Sequence, residues 1–139
     1  MSDDRGSMPL WFLGLALAVL FLGAVSFELW RLLGDRQTLT SEADTVAIAA
    51  ASEIDLELYR ATGEVRLDAD LARNRAQAII SAMPGNDSLF MRQVTVAANG
   101  EWVEVRLGRR VPYGLIRLLA LSGDSFDITA TAVAYPASG

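Results

Sequence analysis

From Met8 to Phe27 the chain runs for 20 positions without a charged residue. That is about the length a helix needs to cross the hydrocarbon core of a bilayer. Trp11 and Trp30 bracket the run, and nineteen helical steps between them span roughly 28 Å, close to the thickness of that core. Tryptophan favours the headgroup level on both sides of a membrane, so these two read as membrane-interface residues. The pattern predicts a transmembrane helix over 8–30, preceded by a polar tail over 1–7. Within it Gly14 and Ala18 form a small-xxx-small pair, a spacing that lets helices approach closely in lipid.

Beyond the span the apolar positions become periodic. Between Phe27 and Tyr59 there is no proline and a single glycine, Gly34. Ala43, Ala47, Ala50, Ile54 and Leu58 recur at three- and four-residue steps, with Glu42, Glu53 and Glu57 among the polar positions. The expectation is one long helix, half in lipid and half amphipathic, ended by Gly63 and packed through its alanine-rich face. Asp68 then fits an N-cap, with Asp70 in the first turn. Ala72, Ala76, Ile79, Ile80 and Met83 make the apolar face of a second helix, stopped by Pro84-Gly85. Gln93 to Ala98 alternates, and Val103, Val105 and Leu107 alternate again. Asn99-Gly100 between them predicts a hairpin with a type I′ turn. Pro112 suits the first turn of a short apolar helix to about Leu121, broken by Ser122-Gly123-Asp124. A last strand is expected over Ser125–Tyr135, with Phe126, Ile128, Ala130, Ala132 and Ala134 on one face and Asp127, Thr129 and Thr131 on the other. The predicted class is α+β: a long N-terminal helix, transmembrane then amphipathic, packed on a small antiparallel sheet with two further helices. Residues 31–139 form the domain outside the hydrocarbon.

Composition narrows the function. The chain has no Cys, no His and no Lys, and all 12 basic residues are Arg. The usual zinc, haem and iron–sulfur ligand sets are therefore missing, as are a Ser-His-Asp triad, a Cys nucleophile and a Schiff-base or P-loop lysine. The close carboxylate pairs, Asp68/Asp70 and Glu101/Glu104, suit capping and a solvated face, so no catalytic, cofactor or metal residue is assigned and no small-molecule substrate is expected. From Glu28 onward 15 acidic residues face 11 arginines. No basic patch interleaved with aromatics occurs, which argues against nucleic acid as a partner. Asn86-Asp87-Ser88 has the form of a glycosylation sequon but follows Pro84-Gly85 and reads as turn chemistry. Ala24-Val25-Ser26 resembles a signal-peptide cleavage site, yet the apolar run exceeds the 7–15 residues usual for such a segment, and retention is expected. Arg5 precedes the span and Arg31 and Arg36 follow it, so the positive-inside count leaves orientation open.

The apolar span leading into Leu39-Thr40-Ser41-Glu42-Ala43-Asp44-Thr45-Val46-Ala47-Ile48-Ala49-Ala50-Ala51 resembles the start of TadE/TadG-like proteins. The hairpin around Asn99-Gly100 and the ending Ile128-Thr129-Ala130-Thr131-Ala132-Val133-Ala134 are similar to that family too. The resemblance implies a non-enzymatic, minor pilin-like component of a tight-adherence (Flp-type) pilus system. Its N-terminus is then cytoplasmic, its domain is outside the membrane, and its partners are pilin or pilus-platform proteins. The chain departs from peptidase-processed pilins: Gly6-Ser7 could mimic their cut, but the fifth residue after Gly6 is Trp11, where those proteins carry Glu, and the nearest glutamate is Glu28. Glu28 is expected at the interface, paired with Arg31 or Arg36. A second reading is a membrane-anchored module that binds cell-wall polymer or a secreted protein, with Trp102, Tyr113 and Tyr135 as possible contacts.

Overall fold

Helix α1 (Asp4–Ala51) is unbroken for 48 residues, about 72 Å at 1.5 Å per residue. The computed structural model describes residues 4–112 and 125–137. Beyond Pro9 nothing in α1 interrupts the backbone ladder. The hydroxyls of Ser26, Thr40 and Thr45 donate back to the carbonyls of Leu22, Arg36 and Ser41 at 2.8–2.9 Å, so they do not compete with the helix.

The helix stops earlier than its periodicity predicts. Ser52 N–H donates to the Ala49 carbonyl, and Ile54 leaves the helix to form an isolated antiparallel bridge with Leu67. Asp55 then caps a separate helix, α2 (Leu56–Thr62), its carboxylate accepting from Leu58 N–H at 3.1 Å. Gly63, at φ 74°, closes that helix. Ile54 and Leu58 therefore do not extend the Ala43–Ala47–Ala50 face, which corrects the expectation of one helix running on to Gly63. The cause is tertiary. Asp55 N–H donates to the Arg66 carbonyl at 2.8 Å, Asp68 N–H to Glu53 at 3.0 Å and Leu67 N–H to Gly100 at 2.9 Å. These bonds replace the helical ones that the turn gives up.

Helix α3 (Ala69–Ala82) is capped by Asp68, whose carboxylate accepts from Asp70 and Leu71 N–H, and it buries Ala72, Ala76 and Ile80. A 3₁₀ turn (Asn86–Ser88) leads into the sheet. The strands β1 (Leu89–Val96), β2 (Val103–Pro112) and β3 (Ser125–Ala134) form an antiparallel meander in the order β1-β2-β3. Beside α1 the described residues hold two further α-helices, α2 and α3, of which the sequence predicts α3 alone as a separate helix. The short helix expected to about Leu121 falls on residues 113–121, which lie outside the described residues, and Pro112 is the last residue of β2, paired with Ser125. A proline at a strand end forfeits no interior ladder bond.

Two features of the hairpin differ from expectation. β1 begins at Leu89, and a bulge between Leu89 and Met91 seats the Phe90 ring over Gly108. Any Cβ on Gly108 would come within 2.7 Å of that ring. The connection is also longer than a two-residue turn. Gly100 has φ 71° while no non-glycine residue among those described has positive φ, so Asn99 does not take the type I′ conformation. Instead Gly100 N–H donates to the Ala97 carbonyl, and the Asn99 side chain accepts from Glu101 N–H at 3.2 Å.

The core lies between the outer half of α1 and the inner face of the sheet, with α3 beside it. Leu39, Ala43, Val46, Ala47 and Ala50 of α1 meet Val103, Val105 and Leu107 of β2 and Ile128, Ala130 and Ala132 of β3. Alanines on both sides let helix and strand backbones approach closely.

Candidate functional site

Two surfaces of α1 carry the functional content, and they occupy opposite halves of the helix. In the first half, Leu10, Trp11, Phe12, Leu20 and Phe21 are all at least 50 % exposed, on every side of the helix. None of the most apolar 18-residue window is buried. Soluble monomers rarely expose apolar patches above a few hundred Å², and a bare apolar cylinder of about 20 residues far exceeds that. This half of α1 is long and apolar enough to cross a membrane. Trp11 and Trp30, 70 % and 76 % exposed, stand at its two ends, and Trp11 meets Phe12 edge to face at 6.4 Å. Gly14 and Ala18 lie on the open surface, with nothing within 4 Å of a Cβ placed on Gly14. Their close-packing geometry is unused within the described residues.

In the second half, Ala43, Ala47 and Ala50 are fully buried against the sheet. They serve the domain's own core, so this face is occupied rather than offered to a partner. Ile54, expected on the same face, is half-buried at the turn beyond the helix.

Charge enters the packed region at two points. Glu42 and Arg109 form an ion pair at 2.8 Å between α1 and β2, with side-chain exposures of 21 % and 14 %. Sequence reasoning placed Glu42 among polar positions and missed this partner. The usable signal was parity: Val103, Val105, Leu107 and Arg109 share the inward face of β2, and an inward arginine calls for a counter-charge. Glu28 is 5 % exposed and lies 4.0 Å from Arg31, one of its two anticipated partners.

A shallow apolar hollow sits at the end of the domain farthest from the apolar half of α1, lined by Ile48, Ala51, Ile54, Ala134 and Tyr135.

No family model matches this chain, and no curated protein or solved structure does.

The remaining candidates do not converge. Asp68 is engaged as a helix cap, and Glu104 pairs with Arg106 at 2.7 Å. Trp102 is half-buried and Tyr135 exposed at the hairpin end of the sheet, while Tyr113 lies outside the described residues. Asn86 donates to the Ser81 carbonyl at 2.8 Å, in keeping with a turn.

Proposed function

We propose that this chain is a non-enzymatic, membrane-anchored component of a tight-adherence (Flp-type) pilus or related secretion assembly, with its domain outside the cytoplasm. One observation carries the reading: a single uninterrupted helix has an apolar first half exposed on all sides, and its second half forms the core of an α+β domain. A helix of this kind couples a lipid anchor to a folded head with no flexible linker, so force or position at one end is transmitted to the other. The TadE/TadG-like order of elements and the alanine-rich stretch 43–51 support the same reading. The open Gly14/Ala18 surface suits a partner helix within the bilayer. Pilin or pilus-platform proteins are the expected partners. The test is deletion of the gene followed by counting pili: loss or shortening of the fibres is expected, and normal number and length would overturn the assembly role.

The distal hollow beside Tyr135 favours a second reading, an anchored module that holds a cell-wall polymer or a secreted protein. Recovery of glycan without pilus proteins from detergent-solubilised membranes would put that reading first.

A further inference from the structure

We infer that the domain is seated directly on the bilayer that α1 crosses, with Pro112, Phe126 and the Arg110 guanidinium in the phospholipid headgroup layer. The inference rests on the reading of α1 as an anchor.

The first support is axial position. Ala51 of α1 and Ala134 of β3 line the same hollow, and Ile128, Ala130 and Ala132 share a core with Leu39–Ala50, so strand and helix run side by side. Counting back from the hollow, α1 covers about 27 Å to Leu33 at 1.5 Å per residue, and β3 covers about 26 Å to Phe126 at 3.3 Å per residue. Phe126 is therefore level with Leu33, about 4.5 Å beyond Trp30. The headgroup region is about 5–7 Å deep on each side of the hydrocarbon. With Trp30 at its inner boundary, Phe126 and its neighbours fall inside it.

The second support is the shielding of α1. Glu28 is 5 % exposed, and Leu32 and Asp35 are half-buried, whereas Phe27, Leu29 and Trp30 on the other sides are 66 %, 52 % and 76 % exposed. Leu32, only two residues past Trp30, already packs against the domain core. No bare stalk separates the span from the domain.

The third is the chemistry of the rim. Pro112 is exposed, and the Phe126 ring is 44 % exposed. Arg110, 58 % exposed, places its Nε 3.2 Å from Asp127 and lies 5.8 Å from the Phe90 ring. Aromatic rings and arginine both favour the headgroup level, the ring by its apolar body and the guanidinium by its remaining donors to phosphate oxygens. Because Asp127 balances Arg110, the contact depends on insertion of apolar groups more than on anionic lipid.

The chain has no native cysteine, so the test uses single substitutions in the full-length protein: Pro112→Cys, Phe126→Cys, Glu101→Cys and Leu20→Cys. Each is labelled with an environment-sensitive fluorophore and reconstituted into phosphatidylcholine vesicles carrying a nitroxide on either the headgroup or the acyl chain. Headgroup nitroxide is expected to quench the labels at 112 and 126 several-fold more than the label at 101, and acyl-chain nitroxide to quench the label at 20. If 112 and 126 are quenched no more than 101 while 20 is quenched, the domain stands clear of the bilayer and the inference is wrong with the anchor intact. If the label at 20 is not quenched, the anchor reading itself fails and the seating falls with it.

Discussion

Gly100 is the residue on which the hairpin and the 63–68 segment both depend. Its φ of 71° is costly for any L side chain, and a Cβ there would meet the backbone of Leu67 at 3.0–3.1 Å. Backbone cannot step aside as a flexible side chain can. Gly100→Ala in the full-length protein is expected to cost about 3 kcal/mol, seen as a lowered thermal midpoint in detergent. Gly63 has nearly the same φ, 74°, but open space around it, so Gly63→Ala should cost only about 1 kcal/mol. Equal losses at both sites would show that φ alone matters and that the close approach does not. The Glu42–Arg109 pair makes a second residue-scale case. Glu42→Leu leaves an arginine that is 14 % exposed without its counter-charge, and about 2 kcal/mol of destabilisation is expected, less than for a fully buried pair. Adding Arg109→Leu should recover most of that loss. A double variant no more stable than the single one would contradict the account of the pair.

At the scale of elements, α1 uses small residues for two different purposes. Ala47 is 1 % exposed against the sheet, while Ala18 lies on the open surface of the apolar half. Ala47→Leu should overpack the helix–sheet seam and cost about 1–3 kcal/mol by thermal melting. Ala18→Leu should leave that melting point unchanged and weaken only helix association in lipid, measured by crosslinking. The same contrast explains what could be read in advance. The span, α3 and the alternating strands were legible because hydrophobic periodicity is a local property of the chain. The end of α1 at Ala51 was not, since Ser52, Glu53 and Ile54 all tolerate a helix and it is long-range pairing, the Ile54–Leu67 bridge with the bonds to Arg66 and Asp68, that decides against it. The start of β1 was hidden by the bulge at Phe90, which breaks strict alternation. Pro112 fits a helix start as well as a strand end, and its pairing with Ser125 is a long-range fact. The exposure of Trp11, Trp30, Gly14 and Ala18 follows from their place in and beside the charge-free run. The Glu42–Arg109 contact was not legible, because it joins elements far apart in sequence.

For the whole molecule, the continuity of α1 does the organising. About 20 of its residues suffice to cross the hydrocarbon, and the buried stripe from Leu39 to Ala51 shares the same rigid rod. The domain cannot swing freely on such a rod. With α1 as the anchor, the hairpin loop and the hollow beside Tyr135 would face away from the bilayer, and Pro112 and Phe126 toward it. The measurement that bears most directly on this arrangement is cysteine accessibility in intact cells, with Ser2→Cys and Glu101→Cys as single variants and a membrane-impermeant maleimide. The account predicts that the label at 101 reacts in intact cells and the one at 2 only after permeabilisation. Reaction at 2 with protection at 101 would invert the topology. Reaction at both in intact cells would mean that α1 does not cross the membrane.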